Sequence, residues 1–224
     1  MARKQRALPG PPPTYRRARA PRRRTPDRSP GSHRCGRIRL KLYRVFPHDD
    51  TAAPTNRGGA LFVPAGSRGQ IDNPDLYRVL YASSHPEGAV AEIFGRLAIW
   101  KAGDFVHANG NPYALATYDL ADAALIFDLD DIDAMRSLHI QRPTSVITRD
   151  RRATQAWARE IYARHDWIGA GWWSYYDPSF KAFGLWDISL LALAKPPEPI
   201  TVSSPCVIDA ATTIIRQIDA GLRR

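Results

Sequence analysis

No stretch of this sequence reaches the apolar length needed to cross a bilayer. The longest aliphatic run, Ile188 to Ala194, suits a buried strand instead. The N-terminus has no hydrophobic segment of the secretory kind, so no signal peptide is expected. Cysteine is scarce: Cys35 and Cys206 stand alone, outside any CxxC pair, which argues against a disulfide framework and for a reducing, cytoplasmic home. Histidines 33, 48, 85, 107, 139 and 165 fall at no metal-ligand spacing, and no metal is expected. The run Asp128, Asp130, Asp131, Asp133 lacks the glycine and terminal glutamate of a calcium loop and reads as a solvated cap on the next helix. Phosphate-binding glycine loops (GxGxxG, GxxxxGK[ST]) and the GxSxG nucleophile turn are missing, which removes the commonest nucleotide-binding and hydrolase signatures.

What the sequence does hold is a charge imbalance confined to one end. The net charge is +10, from 32 Lys and Arg against 22 Asp and Glu. Of these, 12 basic residues and one acid, Asp27, lie in residues 1–37, leaving 20 bases against 21 acids in the rest. The body is therefore close to neutral. Residues 1–37, rich in Pro and Arg and nearly devoid of apolar side chains, are expected to be a disordered tail, or to arise from translation begun too far upstream. The functional alternative is an arm that binds nucleic acid nonspecifically through phosphates.

Residues 38–224 are expected to form one α+β domain. Ile38–Phe46 and Arg78–Ser83 read as strands, separated by a Gly- and Pro-rich loop from Thr51 to about Asp75. A helix should start at Pro86, with Val90, Ile93, Phe94 and Leu97 as its apolar stripe. Further strands are expected at Tyr113–Leu120, Ala124–Leu129, Trp167–Tyr175 and Gly184–Ala194. Helices are expected at Ile132–Leu138, Arg149–His165 and Val207–Leu222. Strands and helices interleave without a regular βα repeat, which favours α+β over a doubly wound sheet.

Three segments, in order, resemble the RES family. They are Tyr43–Arg44–Val45; the glycine-bearing stretch Asn56–Gly66 with VLYASSHPEGAVAEIF (Val79 to Phe94); and GWWSYYDPSFKAFGLWD (Gly171 to Asp187). The resemblance spans roughly residues 38 to 195. It implies a fold like that of ADP-ribosyltransferases and an NAD+-consuming toxin that cleaves the nicotinamide–ribose bond, by hydrolysis, phosphorolysis or ADP-ribosyl transfer. It also implies restraint by a helical antitoxin with a DNA-binding region. Its site residues would be Arg44, Tyr81, Glu92 and Ser174. Where family members often carry Arg directly after the loop glycines, this sequence has Leu61, so Arg57 or Arg68 would take over that phosphate contact, or the contact is missing. Ser83 is a further candidate. A member that folds and binds a partner without turnover is the alternative that Leu61 favours.

The chemistry is consistent with those residue types. Nicotinamide departs neutral, and the transition state is an oxocarbenium-like sugar that a nearby carboxylate stabilises. Glu92 is the carboxylate the resemblance supplies. Helix geometry alone places it roughly 150° from the centre of the apolar stripe, facing solvent. Arg44, a planar cation on an otherwise apolar strand, suits a pyrophosphate. Tyr81 would stack on nicotinamide or offer its hydroxyl to ribose, and Ser174 would fix the amide or ribose by hydrogen bonding.

Overall fold

A computed structural model describes residues 40–219, and the basic stretch 1–37 lies outside the described residues. The elements run β1 (Leu40–Pro47), β2 (Leu80–Ser83), α1 (Pro86–Phe94), β3 (Ile99–Lys101), β4 (Tyr113–Leu120) and β5 (Ile126–Asp128). There follow α2 (Ile132–Ser137), α3 (Arg151–Ala163), β6 (Gly169–Trp173), β7 (Lys181–Leu185), β8 (Leu191–Pro199), α4 (Pro205–Thr213) and β9 (Gln217–Asp219). Seven strands make one mixed sheet in the order β5-β6-β7-β2-β1-β4-β8, and β3 pairs with β9 separately. This is an α+β domain.

β1 and β4 pair antiparallel over the whole of β1, from Leu40 opposite Leu120 to Pro47 opposite Tyr113. The two-residue period along β1 sends Leu42 and Phe46 into one core and Tyr43 and Val45 toward another. The second of these cores lies under α1 and α4, where Val90, Phe94, Trp100 and Val207 are buried together. A third core packs Trp157 and Ile161 of α3 against Phe127, Ala170 and Trp172 of the β5–β7 end of the sheet. Caps agree with side-chain chemistry. Asp150 accepts from the backbone N–H of Arg152 and Ala153 to start α3, and Asp131 accepts from Asp133 N–H to start α2.

Three expectations fail. The last helix stops at Thr213, not Leu222. Thr212, Thr213, Ile214 and Ile215 are all β-branched, and the two threonine hydroxyls bond back to the Ile208 and Asp209 carbonyls, a pattern that weakens a helix end. Ile215 then turns with φ of +55°, and Gln217 N–H donates to Ala98 O, drawing Ile218 into β9 beside β3. Gly184–Ala194 is also not one strand. β7 ends at Leu185, a turn braced by the Asp187 carboxylate on Ser189 N–H follows, and β8 begins at Leu191. Third, in the stripe assigned to α1, Val90 and Phe94 are buried but Ile93 is exposed, and Leu97 lies beyond the helix. The helix turns Gly88, Ala89 and Ala91 inward as well, because small residues let it sit close on the sheet. A Cβ at Gly88 would run into the Ser83 hydroxyl and Phe180.

Ile161→Ala should cost about 2–5 kcal/mol, as emptied aliphatic sites in close-packed cores do, because Ile161 is fully buried among α3 and strand residues. Denaturant unfolding of the two proteins side by side checks this, and a loss below 1 kcal/mol would show a core able to collapse around the gap.

Candidate active site

β1 and β2 are joined through one residue pair, Tyr43 opposite Ser83. Beyond it β1 follows β4, β2 follows β7, and the sheet parts. The gap is a cavity of about 400 Å³, with Tyr43–Pro47 on one wall and Val79, Tyr81, Ala82 and Ser83 on the other. Ala89, Glu92 and Ile93 of α1 close one side, and Arg151 and Trp172 also line it. Ala89, Glu92 and Ile93 are spaced i, i+3, i+4, so they share one helix face. Ala89 sits at the edge of the core, and Glu92 and Ile93 beside it turn toward the cavity. The solvent-facing placement of Glu92 is therefore true only in part: it keeps access to water, inside a concavity.

The Glu92 carboxylate accepts a 2.6 Å hydrogen bond from the buried Ser174 hydroxyl, which in turn accepts from Tyr176 N–H at 3.2 Å. Burial by the cavity walls pushes the Glu92 carboxyl above its ordinary range, while the Ser174 bond and the positive charge of Arg151 pull it back. Glu92 thus remains reachable although its surroundings disfavour charge, since the walls displace water without sealing the group away. Ser174 does not itself line the cavity. Its contact is with Glu92.

Arg44 spans two tasks. Its Nη1 donates to Ala60 O at 3.2 Å and Phe62 O at 2.9 Å, clamping the glycine-bearing loop to β1, and its guanidinium lies 5.5 Å from the Phe46 ring centroid. It also lines the cavity. Tyr81 lines the cavity as well, but its hydroxyl is committed: it donates to Asp72 Oδ1 at 2.8 Å and accepts from Ile71 N–H at 3.0 Å. Burial and the adjacent Asp72 hold the phenol well above its usual range. The ring, rather than the hydroxyl, is what Tyr81 offers to a ligand. Ser83 is buried on the cavity wall, its hydroxyl donating to Lys181 O. Arg57 is exposed and does not line this cavity, and Arg68 is exposed and lines neither it nor its neighbour. Leu61 is half-buried, packed on the apolar core of Leu42 and Phe46.

Sequence reasoning missed two residues. Asp72, buried within the long loop, accepts from Gly69 N–H at 2.6 Å and from Tyr81, tying loop to strand. A Cβ at Gly69 would strike both partners, so a glycine is needed there. Arg151, at the first turn of α3, lines the cavity, forms no ion pair among the described residues and donates only a long bond to Thr148 O. An arginine at a helix start carries no local signal of function. Asp72 was legible only as an acid in a loop that had no visible reason to be ordered.

The site therefore presents a carboxylate held by a serine, two arginines and aromatic walls, in a cavity of the size that takes a small-molecule ligand. The family model for the RES domain matches residues 41–203. No curated protein matches the sequence. Among solved structures, the chain is similar to a chain from the M. tuberculosis MbcT–MbcA toxin–antitoxin complex, with a TM-score of 0.50 and 17% identity over 73% of this chain and 85% of that one. At that identity the likeness is one of fold.

Glu92→Gln should stabilise the protein at neutral pH. A carboxyl raised in the folded state binds its proton more tightly there than in the unfolded chain, so stability falls as pH rises from the ordinary carboxylate value through the raised one. Gln cannot ionise and escapes that loss. The melting temperature of Glu92→Gln should exceed the parent's at pH 7, and the difference should shrink as both are moved to acid pH. An equal or lower melting temperature at pH 7 would mean that Ser174 and Arg151 fully compensate the charge.

Proposed function

The chain belongs to the RES domain family, and from that premise we propose that it is a toxin of a toxin–antitoxin pair that binds NAD+ as its substrate and breaks the bond between nicotinamide and ribose. The observation that carries the reading is the Glu92 carboxylate, fixed by Ser174 and open to a cavity that two arginines also line. As the glycosidic C–N bond breaks, its electron pair leaves with the pyridinium nitrogen and nicotinamide departs neutral. The ribose C1 is left short of electrons, and a carboxylate held beside it lowers the energy of that state more than that of the ground state. Water, phosphate or a protein nucleophile then supplies the new pair at C1. Arg44 and Arg151 provide the positive charge a pyrophosphate requires, with Arg44 better suited to paired oxygens because its strand and loop contacts hold its plane. The ring of Tyr81, its hydroxyl anchored on Asp72, offers a fixed flat face for nicotinamide.

A partner antitoxin belongs to the same proposal, supported by the toxin–antitoxin complex in which the structurally similar chain is found. A cytoplasmic setting fits it, and among the described residues no helix is long and apolar enough to cross a membrane. The second reading, a RES fold that binds without turnover, draws on Leu61, which lies against the core and brings no charge to the site.

Purified protein should deplete NAD+ and release nicotinamide, and Glu92→Gln should slow this by on the order of 10²–10³, the usual cost of one transition-state electrostatic contact. Because the substituted interaction is strongest in the transition state, kcat should fall far more than KM rises. Chromatographic measurement of NAD+ and nicotinamide over time decides it. An inert parent protein would favour the binding-only reading, and a Glu92→Gln protein at parental rate would remove Glu92 from the chemistry.

A further inference from the structure

A serine hydroxyl has one proton to give, and where it gives it depends on what its oxygen receives. Ser174 Oγ receives the Tyr176 N–H at 3.2 Å and gives its proton to Glu92 at 2.6 Å. Glu92 forms no ion pair among the described residues, so this bond is what sets its direction. The turn that carries Ser174 is anchored at its far end. Ser174 N–H donates to Phe180 O at 2.7 Å, Phe180 N–H donates to Asp177 O at 3.0 Å, and the Asp177 carboxylate accepts from Ser179. At its near end Tyr175 stands 60% exposed, and it is the Tyr176 ring that packs back on the core under α1. We infer that Tyr176 is a positioning residue for Glu92: its ring, seated on the end of α1, holds the turn from which its own N–H and the Ser174 hydroxyl fix the carboxylate. The kinetic consequence rests on the NAD+ reading, whereas the hold on Glu92 can be measured without it.

The seat under the ring is shaped for it. Gly95 follows Glu92 by three residues, is buried, and has φ of −59° and ψ of −21°, helical values that any residue adopts. Backbone conformation therefore does not call for a glycine there. Space does, since a Cβ would lie 2.5 Å from Tyr176 Cε1 and 2.7 Å from Cζ, and would press on the Ala91 carbonyl as well. Arg216, just past α4, clamps the same point: its Nε donates to Gly95 O at 2.9 Å and its Nη1 to Ile214 O at 2.8 Å. Helix α1 thus ends between a ring and a guanidinium, about one turn beyond the carboxylate it carries. The Tyr176 hydroxyl makes no hydrogen bond among the described residues, so ring and backbone do the holding. The charged and titratable groups near Glu92 are Arg151 of α3 and Tyr176 itself, and those near Tyr176 are Arg149, Arg216 and Tyr175.

The test uses the full chain, with Tyr176→Ala, Tyr176→Phe, Ser174→Ala and the double variant of Tyr176→Ala and Ser174→Ala. NAD+ kinetics and the titration of the Glu92 carboxyl, followed by NMR, are measured on each. Ser174→Ala removes a bond that favours the charged carboxylate, so Glu92 should titrate higher than in the parent. Tyr176→Ala should move it the same way and lower kcat by about ten- to a hundredfold with KM changed little, as misplacement of a reacting group does. Tyr176→Phe, which keeps the ring, should restore both. The double variant should be no worse than Ser174→Ala, because a residue that acts through another adds nothing once the other is gone. A Tyr176→Ala protein with parental kcat, or with Glu92 unmoved, overturns the inference. So does a Glu92 that titrates lower, since the ring would then serve to exclude water. Equal losses in Tyr176→Phe and Tyr176→Ala, or additive losses in the double variant, overturn it too. A parent that spares NAD+ while the titrations follow the expected order upholds the hold on Glu92 and removes the enzymatic reading.

Discussion

Everything at the site depends on the parting of β1 from β2. An antiparallel pair normally continues until one strand ends, because each exposed edge leaves backbone groups without partners. Here the two strands share one pair and then separate, and each is secured on its far side: β1 by β4 along all of its length, β2 by β7 along all of its own. The sheet can open in its middle without either strand losing its hold. The opening lies next to the point where β2 passes through Ser84 and His85 into α1, so Glu92 is delivered to the gap by the shortest available connection. A polar ligand in such a gap meets backbone edges as well as side chains, which is an arrangement that an intact sheet does not offer.

The loop between β1 and β2 makes the gap a site rather than a fault. It is long and would be costly to order, yet it is pinned at several points. Arg44 holds the Ala60 and Phe62 carbonyls, Tyr118 donates to the Ala60 carbonyl, Asp72 holds Gly69 and Tyr81, and Gln155 of α3 reaches the Ser67 and Gly69 carbonyls. Side chains from strands and from α3 satisfy a backbone that has no ladder of its own. Groups that shape the ligand's surroundings are thus the same groups that hold the loop, and Arg44 cannot be removed without loosening what it clamps.

Much of this could be read in the sequence, and the exceptions share a cause. The strand at Leu40–Pro47, the Pro86 start of α1 and the amphipathic α3 follow from local periodicity and capping. Arg44, Tyr81, Glu92 and Ser174 were named through family resemblance, and the structure brings the first three to one cavity and bonds the fourth to Glu92. A two-state reading of α1, core or solvent, had no place for a third face on a cavity. For the same reason Ile93 was assigned to the core and Glu92 to open water. The end of α4 failed because Ile214, Ile215 and Ile218 fit a helical stripe as well as they fit a turn and a strand, and only the contact of Gln217 with Ala98 across the chain decides between them. Arg151 meets residues distant in sequence only at the cavity, and Asp72 joins Gly69 to Tyr81 across an irregular loop, so neither falls on a helical or strand period that a spacing rule reads.

Leu61 brings packing, not charge, to the glycine-bearing loop. Its side chain joins the apolar core beneath the loop, where an arginine would have had to reach outward or carry an unpaired charge into a low-dielectric region. The loop thereby gains apolar packing, and the cations that line the cavity come from other elements, Arg44 from β1 and Arg151 from the start of α3. Arg44 and Arg151 are held by backbone carbonyls, and neither forms an ion pair among the described residues. A guanidinium matched to carbonyls keeps its full charge for a ligand, whereas one matched to a carboxylate has it neutralised in advance. On the proposed reading, the site therefore trades one loop arginine for packing and retains charge that only a bound anion answers.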